Sequence, residues 1–179
     1  MNVLISGGCK NGKTSFAQDI AVKLSAGGKR YYVATMIPYD EEDRKRIDLH
    51  IKDRANMGFT TLEIGRDISS CLYGTNGTFL VDSVTALLLN EMFPSSHSGE
   101  ADENAVKRCI EGLLKITEKA ENAVFVTDYI YSDAIRYDSF TQNYRKSLAA
   151  IDKKLAEVCD TVIELCAGNV IFHKGGIVL

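Results

Sequence analysis

Asn2-Val3-Leu4-Ile5-Ser6-Gly7-Gly8-Cys9-Lys10-Asn11-Gly12-Lys13-Thr14 decides the fold. An apolar run enters Gly-x-x-x-x-Gly-Lys-Thr, and Thr14–Leu24 then carries apolar residues at helical spacing. Strand, glycine-rich loop and helix in that order are the parts of a phosphate-binding loop. The physical reason is local. Gly7, Gly8 and Gly12 are expected to take positive φ and bring successive N–H groups close to a polyphosphate, at the positive end of the following helix. Lys13 is then placed to reach the β and γ oxygens, and the Thr14 hydroxyl to ligate Mg²⁺. A glycine turn that binds nothing is the alternative, and the matching strand and helix on either side argue against it.

Outward from the loop, the bulk properties set bounds. A chain of 179 residues fits one α/β domain, 1–179, with a core that needs no staples. With 21 Lys and Arg against 24 Asp and Glu, the net charge of −3 leaves no concentrated basic face for a nucleic acid partner. Cys9, Cys71, Cys109, Cys159 and Cys166 are odd in number and contain no Cys-x-x-Cys, so they are expected to be reduced and mostly buried thiols. Cys9, inside the loop, reads as a small tolerated residue rather than a nucleophile. No apolar run approaches the ~18 to 20 residues of a membrane span. The N-terminus lacks a charged leader region, so a cytoplasmic location is expected.

The rest of the chain alternates strand and helix. Strands are expected at Asn2–Ser6, Arg30–Ala34, Thr60–Glu63, Thr78–Val81, Ala123–Thr127 and Thr161–Glu164, with a C-terminal pair, Leu165–Ala167 and Val170–His173, turning at Gly168-Asn169. Helices are expected from Thr14, from about Glu41, and at Val84–Met92, Glu103–Ala120 and Thr141–Cys159, with a helix or turn near Asp67–Tyr73 and a polar loop at Pro94–Glu100. This order predicts an α/β, three-layer P-loop NTPase-like fold: a mainly parallel sheet, helices on both faces, an antiparallel C-terminal edge. Ligands of such sheets bind at the carboxyl ends of the strands, where the loop lies.

A phosphate loop needs an acid to hold Mg²⁺, and Phe79-Leu80-Val81-Asp82 supplies one at a strand end. Asp82 could instead cap the helix after it, and Asp128, following the strand Ala123–Thr127, competes for the same role. The segment Asp40–Arg54 reads as an exposed charged helix laced by pairs such as Asp43 with Lys45 and Arg46. On it, His50 and Arg54 are four residues apart, as are Arg46 and His50, so an imidazole flanked by guanidinium groups could pass a phosphoryl-type group through nitrogen. His97 and His173 read as solvated or structural. Tyr129, Tyr131, Tyr137 and Tyr144 are partial core or walls for a flat substrate.

Four pieces then occur in a familiar order: Gly-Gly-x-x-x-Gly-Lys-Thr; Ala34-Thr35, an acidic stretch and Arg46-Ile47-x-x-His50-x-x-x-Arg54; Phe59-Thr-Thr61-Leu-Glu63; and Leu80-Val-Asp82-Ser-Val-Thr85-x-x-x-x-Asn90. In these the chain resembles the bifunctional adenosylcobinamide kinase/adenosylcobinamide-phosphate guanylyltransferases of cobalamin nucleotide-loop assembly. The resemblance implies that ATP or GTP, with Mg²⁺ on Thr14 and Asp82, phosphorylates a corrinoid, and that His50 then accepts GMP from GTP. It also implies nucleotide contacts from Gly7, Gly8, Cys9, Lys10, Asn11, Gly12, Lys13, Thr14, Ala34, Thr35, Met36, Ile51, Lys52, Asp53, Arg54, Glu63 and Asp82, and a homotrimer. The second half departs from the family. Its Asn-Glu and Gly-x-Gly-x-x-Pro loop is here Asp128-Tyr-Ile-Tyr131-Ser-Asp133, and its Asn-Gln helix reads Ile151-Asp152-Lys153. A diverged P-loop kinase for another small molecule, or a non-enzymatic nucleotide-binding regulator, stay open on the residues alone.

Overall fold

A computed structural model describes residues 1–94 and 101–176; segment 95–100, with His97, lies outside the described residues. Seven strands, β1 (Asn2–Gly7), β2 (Arg30–Ala34), β3 (Phe59–Glu63), β4 (Thr78–Asp82), β5 (Asn122–Asp128), β6 (Thr161–Cys166) and β7 (Asn169–Lys174), form one sheet in the order β3-β2-β4-β5-β1-β6-β7. All neighbours run parallel except β6 and β7. The helices are α1 (Lys13–Leu24), α2 (Glu41–Asp53), α3 (Val84–Met92), α4 (Ala105–Lys119) and α5 (Ser139–Val158), with a short 3-10 turn at Ile68–Leu72. Among the described residues no helix is long and apolar enough to cross a membrane.

The two sides of β1 show why the strands sit where they do. Val3 and Ile5 pack with Ala17, Ile20 and Ala21 of α1, while Leu4 faces a larger cluster that includes Leu87 and Leu88 of α3, Leu113 and Ile116 of α4, and Leu148 and Ile151 of α5. A strand covered on both faces must be apolar throughout, as Phe79-Leu80-Val81 and Ala123–Val126 are. Each such side chain contributes roughly 1.5–3 kcal/mol on burial. Side-chain caps set three helix starts: Asp40 accepts from Asp43 N–H at 2.9 Å, Ser83 from Ala86 N–H at 3.2 Å and Asp138 from Thr141 N–H at 2.9 Å.

One expected strand needs correction. Leu165–Ala167 is not a strand of its own, because Ile163 and Leu165 are both buried in the α1 layer and carry β6 on to Cys166. The reversal to β7 then falls on Ala167 and Gly168, whose φ values of 50° and 78° suit a tight hairpin. The thiols are free and mostly buried, as expected: Cys71, Cys109 and Cys159 are buried, and burial pushes each up to about 12, whereas Cys9 and Cys166 are exposed.

Candidate active site

The loop after β1 closes on itself. A Cβ on Gly7 would lie 2.5 Å from Asn11 Nδ2 and 2.6 Å from Leu165 O, so only glycine lets the chain pass there. Left-handed backbone occurs instead at Gly12 (φ 87°) and Lys10 (φ 57°). The expectation of positive φ at Gly7 and Gly8 is therefore corrected. Gly7 serves close approach, and Gly8 borders open space, where a Cβ would meet nothing within 4 Å. Asn11 Nδ2 donates to Leu165 O at 2.5 Å, tying the loop to β6.

Lys13 folds back over this loop and is buried, its Nζ donating to Gly8 O at 2.5 Å and to Asn11 Oδ1 at 3.3 Å. Its charge is met by Asp128 Oδ1 at 2.7 Å. Strand order explains this partner: β5 lies between β1 and β4, and Asp128 stands opposite Gly7 in the register. Asp82 ends β4, one strand further out, and reaches Thr14, whose Oγ1 donates to Asp82 Oδ2 at 2.9 Å. The two candidate acids thus divide the loop between them. Capping of α3 falls to Ser83, which removes the bland role considered for Asp82.

Tyr32, in the middle of β2, donates its hydroxyl to the same Asp82 Oδ2 at 2.6 Å. Burial, reinforced by the charge of Asp82, raises this phenol far above its usual range, so it acts as a donor. Asp82 Oδ1 has no protein partner among the described residues. A hydroxyl beside a carboxylate is a hard-oxygen donor set that suits Mg²⁺, which takes one or two protein ligands and fills its shell with phosphate and water. The residues present therefore fit such a cation. Among the described residues no cluster of three His, Cys, Asp or Glu side chains forms an all-protein metal cage.

The other implied nucleotide residues are spread more widely. Thr35 is fully buried; its hydroxyl donates to Ser83 O at 2.8 Å and accepts from Ser83 N–H at 2.7 Å, and its carbonyl accepts from Asn90 Nδ2 at 2.7 Å. This threonine pins β2 to the start of α3. Ala34 and Met36 flank it half-buried, and Glu63 is exposed at the end of β3, opposite Ala34. His50 is half-buried in the last turn of α2, followed by exposed Ile51, Lys52 and Asp53. No hydrogen bond joins it to the loop or to Asp82 among the described residues. Arg54 turns inward: it is buried, its Nε and Nη2 donate to Thr61 Oγ1 at 3.3 and 3.1 Å, and its guanidinium lies 3.9 Å from the Tyr32 ring centroid. Its guanidinium thus packs on the sheet, and the Arg46 side chain lies outside the described residues. The expected pair of Asp43 with Arg46 lies outside the described residues; among the described ones Arg44 pairs with Glu41 at 3.9 Å and Asp43 Oδ2 accepts from Tyr39 N–H.

Beyond Asp128, a cavity of about 420 Å³ is lined by Ser6, Tyr129, Tyr131, Ser132 and Glu164. Arg145 shapes the segment beside it, donating to Ile130 O, Ile135 O, Asp133 O and the Asp133 carboxylate at 2.8–3.1 Å. Tyr131 and Thr127 both donate to Asp152 Oδ2, while the buried Asp152 Oδ1 has no partner among the described residues. Tyr144 bonds Thr85 O, Tyr137 is exposed and lies under Arg145, and exposed His173 pairs with Glu164 at 2.8 Å. Sequence reasoning missed Tyr32 and Asp152. Tyr32 sits in an ordinary buried strand, and nothing local marks its partner 50 residues away.

A parallel sheet, a glycine loop tied to the next helix, and a lysine, a threonine and an acid meeting there define a P-loop nucleotide-binding protein. Solved structures share the fold: an ATPase domain (12% identity, TM-score 0.55, covering 97% of this chain and 76% of that one), an ATP synthase subunit from Nanoarcheaum equitans (11%, 0.57, 93% and 47%), and an ATPase of a bacterial type III secretion system (14%, 0.53, 93% and 51%). The chain spans about half the length of the last two, and at such identities the likeness concerns the fold alone. The chain belongs to the cobinamide kinase/cobinamide phosphate guanyltransferase (CobU) family, whose model matches residues 3–172. No curated protein sequence matches it.

Proposed function

We propose that the protein phosphorylates the aminopropanol hydroxyl of adenosylcobinamide with ATP or GTP and then guanylylates the product. The observation that carries this reading is the meeting of Lys13, Thr14 and Asp82 at one loop of a CobU-family chain. In the first reaction Lys13 exchanges the Asp128 carboxylate for phosphate oxygens and neutralises charge on the transferring phosphoryl group, which is where positioning and electrostatics do most of the catalytic work. Thr14 and Asp82 would hold Mg²⁺, which supplies further charge neutralisation when bound.

In the second reaction a neutral His50 nitrogen attacks the α-phosphorus of GTP, the bond from that phosphorus to the bridging oxygen breaks, and pyrophosphate leaves. The corrinoid phosphate oxygen then attacks the same phosphorus, the P–N bond breaks, and the imidazole is restored. The cavity walled by Tyr129 and Tyr131 is the candidate corrinoid side. A cytoplasmic homotrimer is the assembly and location that go with this reading.

Incubation with GTP and Mg²⁺ followed by mass spectrometry tests it: a GMP adduct on His50 is expected, and the His50→Ala protein is expected to carry none. Undiminished labelling of that variant refutes the assignment. A second reading, a kinase for another small molecule, is favoured by the carboxylates Asp128 and Asp152 in the half that departs from the family. Nucleotide hydrolysis without any product from adenosylcobinamide would decide for it.

A further inference from the structure

Helix α2, which carries His50, buries none of its own described side chains. Its charged surface gives it little hydrophobic hold on the sheet. The buried anchor comes one residue past its end, at Arg54. That guanidinium rests on one face of the Tyr32 ring and is steadied by Thr61. The hydroxyl of the same ring holds Asp82 Oδ2, which also receives the Thr14 hydroxyl. A continuous line of contacts therefore runs from the histidine helix to the carboxylate beside the phosphate loop.

We propose that Tyr32 and Arg54 are positioning residues, Tyr32 presenting the free oxygen of Asp82 to a divalent cation and Arg54 hanging the His50 helix from the same ring, so that cation binding steadies the helix. Two hydroxyls on Oδ2 fix the carboxylate plane and leave Oδ1 to face a ligand. Fixing a ligand's rotamer through a neighbouring donor strengthens metal binding. The guanidinium over the ring face adds cation–π attraction in a desolvated setting, which makes the stack firmer than a solvent-exposed contact. This rests on the reading of Thr14 and Asp82 as the cation site.

Tyr32→Phe is the cleanest probe, because the ring keeps its edge-on contact with Phe59 and loses only one oxygen. Affinity for the β,γ-imido analogue of GTP in EDTA is expected to stay within about twofold of wild type. Binding of Mn²⁺ to the protein–analogue complex, read from the electron paramagnetic resonance of free Mn²⁺, is expected to weaken about tenfold, the scale of one hydrogen bond to a charged group. Hydrogen exchange supplies the other arm. In wild type, adding Mn²⁺ to the complex is expected to slow exchange of the α2 amides. Arg54→Met is expected to speed that exchange about tenfold with or without cation, and Arg54→Lys, which keeps a cation over the ring, to restore part of the protection. Wild-type Mn²⁺ affinity in Tyr32→Phe, or unchanged α2 exchange in Arg54→Met, overturns the proposal. Neither readout involves the His50 adduct, so absence of that adduct with both arms as expected would sink only the guanylyl-transfer reading.

Discussion

Lys13 and Asp128 form a buried cation and a partly exposed carboxylate 2.7 Å apart at the mouth of the phosphate loop. A triphosphate must break this pair to gain the lysine, so Asp128 competes with the nucleotide. Asp128→Asn is expected to bind the GTP analogue about fivefold more tightly by calorimetry, the scale of a partly screened ion pair. Lys13→Ala is expected to weaken binding by about a hundredfold or more, the scale of a lost charge-assisted phosphate contact in a sheltered site. Weaker binding by Asp128→Asn would instead mark that carboxylate as part of the cation site. Asp152 poses a different residue-scale problem. Burial, to which the nearby charge of Asp128 adds, raises its carboxyl from 3.8 to about 7 against the bonds from Tyr131 and Thr127. Between those values the unfolded chain has released this proton and the folded one retains it, so stability falls as pH rises through that window. Asp152→Asn keeps an acceptor for both hydroxyls and removes the titration. Its Tm is expected to exceed wild type by at least about 3 °C at pH 8 and to show no gain at pH 4, a few degrees per kcal/mol being the rule for a chain of this size.

At the scale of elements, the segment between β5 and α5 depends on one side chain. Arg145 satisfies three carbonyls and the Asp133 carboxylate, which takes the place of regular secondary structure for a stretch with few backbone bonds of its own. Arg145→Met is expected to cost about 2 kcal/mol in thermal unfolding and to speed hydrogen exchange across residues 130–136, while the β1 amides keep their protection. Unchanged exchange there would mean that packing of Tyr131 and Tyr137 holds the segment instead. The alternation of strands and helices was legible because each rests on local signals: the apolar runs of β1, β4 and β5, the helical spacing of apolar residues in α1 and α3, the Gly12-Lys13 junction. Thr14 and Asp82 were legible as partners because a phosphate loop requires an acid. The strand order was not. It determines that Asp128 faces Lys13, that Tyr32 meets Asp82 and that Arg54 folds onto the sheet, and none of these follows from the spacing of residues along one element. The inward turn of Arg54 reflects the aromatic face and threonine hydroxyl that β2 and β3 offer it, and neither partner is marked by the spacing of residues along α2.

For the whole molecule, nucleotide binding and folding share one equilibrium, since only the folded chain has the loop, Asp82 and Lys13 assembled from β1, α1, β4 and β5. A ligand at a hundred times its dissociation constant stabilises the folded state by about 2.7 kcal/mol. For a chain of 179 residues this corresponds to a Tm rise of about 5 to 10 °C. With Mg²⁺ and the β,γ-imido GTP analogue at that concentration, wild type is expected to show the full rise by scanning calorimetry, and Lys13→Ala a rise of about 1 °C or less. His50→Ala is expected to keep it, because His50 is half-buried on α2 and makes no hydrogen bond to the loop among the described residues. The pair of variants separates grip from chemistry: one loses the triphosphate, the other holds it and fails to take up GMP. A His50→Ala protein that loses the thermal shift would show that the imidazole belongs to the triphosphate grip, and its lack of labelling would then say nothing about nucleophilic attack.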